Sequence, residues 1–166
     1  MAVSDGLEVY VYLFTARTGV TVDPPLLAEI AKLPNIVGAK LSGESLDRVS
    51  AFRAAVPADF ELYTGADIDL ARAVDHGAQG VVSGISSVFS KPFVELANAL
   101  AAGDSSRIDR AQSAVNDVVE LVAGDPARIK LGLRLMGINA GYARMALDEP
   151  GEDVRQELRR AIASHS

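Results

Sequence analysis

Lys40 is the residue of this chain whose chemistry is most informative. It lies near the end of the apolar run from Asn35 to Leu41, which is typical of a short buried strand. Burying an ammonium without a partner costs free energy, and the group avoids that cost by releasing its proton. The neutral amine is a nucleophile that forms a Schiff base with a carbonyl compound. The alternative is a lysine at a strand end whose ammonium extends into solvent.

Two residues that precede Lys40 in the chain add to this chemistry. Tyr12 ends an aromatic-rich segment, and its phenol could relay protons during acid–base catalysis. Arg17 carries a planar guanidinium that fits a carboxylate. Each residue also has a plain structural alternative, a packed strand aromatic for Tyr12 and a surface arginine in a turn for Arg17. The local sequence leaves both alternatives open.

Composition excludes several other classes of protein. The 166 residues carry a formal net charge of −6 and no basic stripe, which argues against a nucleic-acid partner. Without cysteines and with two histidines, the chain can form no disulfide and no thiolate or histidine-rich metal site, and we expect no cofactor. No apolar stretch is long enough for a membrane span, and Asp5 and Glu8 stand where a signal peptide would be cationic. We therefore expect a cytoplasmic protein without a membrane partner.

The chain alternates strands and helices before it becomes purely helical. β-Branched and aromatic runs predict four strands, over residues 7–14, 36–41, 60–64 and 80–83. Apolar spacings near 3.6 and capping residues predict a helix after each strand, over residues 23–33, 45–56, 68–76 and 92–102. Three further helices are predicted over residues 105–123, 126–136 and 152–163. These patterns divide the chain into strand–helix units over 1–103 and a helical extension over 104–166.

Alternating strands and helices predict a parallel sheet with right-handed crossovers. An open doubly wound sheet and part of a (β/α)8 barrel both fit this pattern, and 166 residues with four strands would be half of a barrel. Polar residues follow all four strands, as expected where strand ends converge on one barrel mouth: Tyr12, Arg17, Lys40, Thr64, Asp67 and Ser83. The pattern favours the half-barrel, of fold class α/β.

Several motifs, in order, resemble those of a known family. The segment Tyr12-Leu-Phe-Thr-Ala-Arg17-Thr-Gly19 is similar to the Tyr-Asn-x-Pro-x-Arg-Thr-Gly segment of the dihydrodipicolinate synthase / N-acetylneuraminate lyase family, the pyruvate-handling class I aldolases. The segment Asn35-Ile-Val-Gly-Ala-Lys40 resembles the family's Asn-Ile-x-Gly-x-Lys segment, which carries the Schiff-base lysine. Further matches lie at Tyr63-Thr-Gly65-Ala-Asp67, at Gly77-Ala-Gln-Gly80-Val-Val-Ser83 and in the terminal helices. The chain is thus similar to the C-terminal half of that family's barrel.

The resemblance implies a role for each candidate residue. Lys40 would form the Schiff base and Tyr12 would transfer protons. Arg17 would bind the acid group of the second substrate at the mouth. Gly65 and Ser83 would contribute to substrate binding, where backbone N–H groups approach an anion, although simple turn geometry explains the glycines equally well.

Two departures from the family pattern bear on function. Leu13 and Thr15 replace the Asn and Pro of the fifth-strand motif, which widens the choice of reaction to other 2-keto-acid lyases or dehydratases. The family's first four strands, with the paired hydroxyl residues that bind the pyruvyl carboxylate, have no counterpart. We expect a Schiff-base lyase or synthase acting on pyruvate or another 2-keto acid. The alternatives are an inactive half-barrel that serves as a self-associating scaffold, and an unrelated flavodoxin-like binding domain. The expected partners are a second copy of the chain or a complementing N-terminal half.

Overall fold

The structure is a computed structural model, and it describes residues 6–165. The chain forms two compact units, Met1–Val82 and Ser83–Ser166. All four strands belong to the first unit. The second unit contains helices and one short turn of 3-10 helix among its described residues. The predicted division at residue 103, which follows element type rather than compactness, stays a prediction.

The first unit is built on a parallel sheet of four strands in sequential order: β1 (Val9–Leu13), β2 (Ile36–Leu41), β3 (Glu61–Thr64) and β4 (Gly80–Val81). The strand order and parallel pairing confirm the predicted alternation. The predicted bounds of β2 are correct because a continuous apolar run between turn signals defines them. The predicted bounds of β1 and β4 were too long by one to two residues at their ends.

Four helices follow the strands of this unit: α1 (Thr15–Thr18), α2 (Pro24–Ile30), α3 (Leu46–Ala55) and α4 (Leu70–Asp75). The Asp23 side chain accepts a hydrogen bond from the N–H of Leu26, and Ser45 accepts one from Arg48, so both residues act as N-caps. The short helix α1 is an addition that the sequence did not predict.

The helices bury one face of the sheet. Leu41 and Leu62 on the strands and Leu27, Val49 and Phe52 on the helices are at most 1% exposed and form the core of this unit. Because successive strand side chains point to opposite faces, Tyr10, Tyr12, Lys40, Glu61 and Tyr63 all lie on the other face. That second face, hereafter the open face, carries the candidate chemistry.

The second unit contains the helices α5 (Ser90–Ala102), α6 (Ser105–Val122), α7 (Pro126–Leu135) and α8 (Glu152–His165). Asp104 and Asp125 cap α6 and α7 through their side chains. Its core includes Leu96, Val115 and Leu131, all fully buried. The three terminal helices were predicted within two residues at each end. In the described part of the chain, no helix combines the length and apolar character that crossing a membrane requires.

Candidate active site

The open face presents its residues in rows set by the strand register. One row runs Tyr12, Lys40, Tyr63 and Gly80 across the four strands. The row before it contains Tyr10, Gly38 and Glu61. Parallel pairing therefore brings the predicted Tyr12 and Lys40 side by side on one face, although 28 positions separate them in the sequence.

Lys40 lies against the aromatic ring of Tyr12. Its Nζ is 4.6 Å from the ring centroid, within the range of a cation–π interaction. Lys40 is half-buried rather than enclosed in a strand core, because the open face leaves its side chain accessible on one side. Its side chain is thus intermediate between the two alternatives from the sequence, a lysine within a strand core and one that extends into solvent. The amine is both held by the protein and reachable by a small carbonyl compound.

The hydroxyl end of Tyr12 contacts Ser42, which follows β2 on the same face as Lys40. Ser42 Oγ donates a hydrogen bond of 3.3 Å to the phenolic oxygen of Tyr12. Ser42 is 9% exposed and its backbone N–H donates to the carbonyl of Leu13. The phenol of Tyr12 thus has a fixed neighbour within the chain.

Gly65 makes this arrangement possible. A Cβ at position 65 would overlap Ser42 Oγ and would approach Cε of Lys40 to 3.1 Å. The backbone N–H of Gly65 donates to the carbonyl of Leu41 at 2.7 Å. Gly65 therefore leaves room for the side chains of Lys40 and Ser42. Its role in substrate binding stays a prediction.

Arg17 lies in α1, one turn past the end of β1. Its guanidinium carbon is 6.0 Å from the ring centroid of Phe14, whose ring centroid is 5.9 Å from that of Tyr12. Arg17 is exposed, and no carboxylate of residues 6–165 lies within 4.0 Å of its guanidinium. Two aromatic rings thus connect the predicted carboxylate-binding arginine to the predicted Schiff-base lysine.

Ser83, the last predicted substrate-binding residue, begins the second compact unit. Its hydroxyl accepts a hydrogen bond from the N–H of Ser86, and its carbonyl accepts one from the hydroxyl of Ser86. Both bonds shape the turn that leads into α5. The assignment of Ser83 to substrate binding stays a prediction.

A second polar cluster on the open face joins the row of Lys40 to the row before it. The carboxylate of Glu61 accepts hydrogen bonds from Tyr10 at 2.6 Å and from Tyr63 at 2.9 Å. The bond to Glu61 raises the pKa of Tyr10 to about 12, and the same kind of bond raises the pKa of Tyr63. The donation from Tyr10, followed by that from Tyr63, lowers the pKa of Glu61. The cluster is therefore a carboxylate held ionised by two neutral phenols.

Gly38 allows the Tyr10 ring to reach Glu61. A Cβ on Gly38 would come within 2.6 Å of the carbonyl oxygen of Glu61 and would overlap the ring of Tyr10. The ring therefore lies across β2 in the space that a side chain would occupy.

The open face encloses a hollow of about 540 Å³. It is lined by Tyr10, Val11, Tyr12, Lys40, Tyr63 and Val82. That volume accommodates a small organic acid with a second small reactant beside it. Within residues 6–165, no three histidine, aspartate or glutamate side chains come together as metal ligands.

Comparison with known proteins identifies the family. The model of the dihydrodipicolinate synthetase family matches residues 1–165. The chain belongs to this family. The match excludes the alternative of an unrelated flavodoxin-like domain. It confirms the family resemblance that was inferred from the motifs around Tyr12, Arg17 and Lys40.

Relatives that the chain matches are synthases of about twice its length. The 4-hydroxy-tetrahydrodipicolinate synthase of Listeria welshimeri is 33% identical over 152 residues, which cover 89% of this chain and 51% of that protein. The enzyme of the same name from Synechococcus elongatus is 29% identical, with 92% of this chain and 52% of that protein covered. The chain thus spans about half the length of these relatives.

Solved structures of family members share the fold. Dihydrodipicolinate synthase from Thermotoga maritima superposes with a TM-score of 0.82 at 28% identity, covering 98% of this chain and 57% of that one. The enzyme from Bacillus anthracis gives a TM-score of 0.85 at 24% identity, with 96% and 55% covered. The fold class is therefore that of the (β/α)8 barrel, represented by its C-terminal half with a helical extension.

Sequence reasoning did not assign four polar residues of the open face to the site: Tyr10, Ser42, Glu61 and Tyr63. The signal for Ser42 was present, because a residue two positions after Lys40 on a strand points to the same face. Glu61 and Tyr63 alternate in the same way on β3. Their pairing with Tyr10 follows from the register between strands, which the sequence alone did not supply.

Proposed function

We propose that Lys40 forms a Schiff base with pyruvate or another 2-keto acid, and that this chain supplies the imine-forming half of a lyase or synthase. The juxtaposition of Lys40 and Tyr12 on the open face carries the proposal, since it places an amine beside a proton-transferring phenol. The names of the relatives that share this half of the chain support the same class of reaction, aldol-type formation or cleavage of a carbon–carbon bond.

The chemistry begins with attack of the Lys40 amine on the keto carbon, which gives a carbinolamine. Loss of water then gives an iminium, with one proton delivered to the departing hydroxyl. The iminium withdraws electrons, so that the adjacent carbon loses a proton and becomes an enamine nucleophile. In the synthetic direction the enamine attacks an aldehyde acceptor, and hydrolysis of the resulting imine returns the free amine. Tyr12 would transfer the protons at the carbinolamine and at the acceptor oxygen.

Arg17 fits the acceptor side of this reaction. Arg17 would bind the carboxylate of an acid acceptor, because its guanidinium is exposed and stacks toward the site through Phe14. The roles in substrate binding predicted separately for Gly65 and for Ser83 stay predictions from the sequence. Leu13 and Thr15, which replace the Asn and Pro of the family motif, leave the acceptor itself open.

Reductive trapping tests the proposal directly. Pyruvate and sodium borohydride should add one reduced pyruvyl group to the protein, and peptide mapping should locate it on Lys40. Lys40→Ala should abolish the adduct, whereas Lys32→Ala, which removes an exposed lysine of the same unit, should leave it unchanged. An adduct spread over Lys32, Lys91 and Lys130 would instead indicate ordinary surface reactivity.

A second candidate function is a self-associating half-barrel without turnover. Its support is the exposure of Tyr10, Tyr12 and Val82, which are 41%, 52% and 47% exposed on the open face. A second copy of the chain, or a complementing N-terminal half, would cover these exposed aromatic and aliphatic side chains. Trapping at Lys40 combined with the absence of aldol turnover would favour this candidate over the first.

A further inference from the structure

Ser42 is a buried hydroxyl that faces the proposed active site. Ser42 and Thr64 are the buried polar residues of the described chain. The Thr64 hydroxyl accepts a hydrogen bond from the N–H of Ala66 and so serves the turn after β3. The hydroxyl of Ser42 instead donates across the sheet to Tyr12.

Two neighbours fix the position of Ser42. Its N–H donates to the carbonyl of Leu13 at 2.9 Å, which extends the ladder between β1 and β2 by one residue. Because Gly65 has no side chain, Ser42 Oγ can occupy the space beside it. Because a buried hydroxyl without a partner is costly, the bond to Tyr12 is the arrangement that this enclosure favours.

The contact with Ser42 holds the phenolic oxygen of Tyr12 at a fixed place on the open face. A phenol both accepts and donates a hydrogen bond, so one bond to Ser42 leaves the phenol able to make a second bond to a substrate oxygen. The Tyr12 ring is 52% exposed, so such an anchor restricts a side chain that would otherwise sample several orientations.

We infer that Ser42 is a positioning residue that holds the phenol of Tyr12 for proton transfer during Schiff-base chemistry at Lys40. The inference rests on the proposed function for the chemical step, and on the Ser42–Tyr12–Gly65 geometry for the positioning. The hydroxyl of Ser42 thus orients the phenol of Tyr12 from the neighbouring strand's end.

The first test measures positioning without any reaction. Tyrosine labelled with ¹³C at Cζ gives one NMR signal for each of the four tyrosines, and Tyr12→Phe assigns the signal of interest. Ser42→Ala should move the Tyr12 signal and leave that of Tyr142 in place. Ser50→Ala, which removes a hydroxyl bonded to His76 on the helical side, should leave the Tyr12 signal unchanged. A Tyr12 signal that is identical in Ser42→Ala and in the unsubstituted protein would overturn the inference.

The second test measures the reaction. Ser42→Ala should slow the formation of the borohydride-trapped pyruvyl adduct at Lys40 by about 3- to 10-fold, as expected for one lost hydrogen bond. It should also change the pH profile of that rate, and Ser42→Thr, which retains a hydroxyl, should restore part of both. An adduct rate and pH profile that match those of the unsubstituted protein would overturn the inference. A shifted Tyr12 signal with no adduct in any variant would instead leave the positioning intact and disprove the proposed function.

Discussion

Gly65 and Ser42 share a space on the open face that admits only one side chain. Ser42 Oγ occupies it, and a Cβ on Gly65 would overlap that oxygen and come within 3.2 Å of Ser42 Cβ. The two residues lie at the ends of neighbouring strands, and the N–H of Gly65 donates to the carbonyl of Leu41 beside Ser42. A glycine is therefore required at position 65 by the serine opposite it.

Gly65→Ala should destabilise the first unit and disturb the site together. Forcing a methyl group into this space costs about 1–3 kcal/mol of folding free energy, as in other overpacked sites. Urea unfolding followed by circular dichroism measures the loss. Gly80→Ala provides the control, since a Cβ there would meet the Tyr63 ring at an ordinary 3.9 Å on the same face.

The pairing also predicts non-additivity. In a Ser42→Gly background, position 65 gains room, so Gly65→Ala should cost less free energy of unfolding than it does beside the serine. Equal costs in the two backgrounds would show that Ser42 does not determine the residue at position 65.

Glu61→Gln should lower the pH at which two of the four tyrosines ionise. The bond to the Glu61 carboxylate raises the pKa of Tyr10 from its ordinary 10.0 to about 12, and a neutral amide removes the charge that opposes phenolate formation. The ultraviolet absorbance of tyrosinate reports the change. Glu29→Gln, on an exposed helix position paired with Lys32, should leave the titration as it is. Superimposable curves for Glu61→Gln and the unsubstituted protein would contradict the assigned hydrogen bonds.

The same cluster predicts how stability depends on pH. The raised pKa of Tyr10 contributes stability that is complete below pH 10 and is lost as the pH rises through about 12. The lowered pKa of Glu61 contributes stability above its ordinary 4.5, which is lost as the pH falls. Thermal unfolding of Glu61→Gln should therefore vary less with pH at both extremes than that of the unsubstituted protein.

The sequence predicted the fold more completely than the details of the site. The apolar run of β2 and the capping residues Asp23 and Ser45 marked their elements, because each signal is local. The short helix α1 escaped prediction, since four residues show no periodicity. The Ser42–Tyr12 and Tyr10–Glu61 bonds join residues on different strands, and their existence depends on a register that no local pattern reveals.

The half-burial of Lys40 illustrates the same limit. The apolar run around Lys40 predicted a short buried strand, with an ammonium that extends into solvent as the alternative. The helices cover one face, and Lys40 belongs to the other. The Schiff-base chemistry of Lys40 stays a prediction from the residue type, whereas its environment became known only from the topology.

Arg17→Ala should weaken binding of an acid acceptor while it leaves the Schiff base intact. The loss of one charge-assisted bidentate contact corresponds to about 1.5–3 kcal/mol, or roughly 10- to 150-fold in affinity. Competition between a carboxylate-bearing aldehyde and its uncharged analogue for the unreduced enamine on Lys40 measures the effect. Arg72→Ala, an exposed arginine paired with Asp69, serves as the control. Loss of pyruvate trapping as complete as in Lys40→Ala would contradict a separate role for Arg17.

Self-association is the final expectation. Among the four strands, β1 and β4 each pair on one side, so both edges of the sheet carry unpaired backbone groups. Exposed apolar surface on the open face adds a further driving force for association. We expect sedimentation at low micromolar concentration to show a dimer or larger species, or a complex when the N-terminal half of a relative is supplied.

Val82→Glu, on the open face, should weaken the association at least tenfold, because it places a charge in the contact. Val74→Glu, an exposed valine on α4, should leave it unchanged. A sharp monomer mass together with cooperative unfolding and full aldol turnover would show that the open face needs no cover.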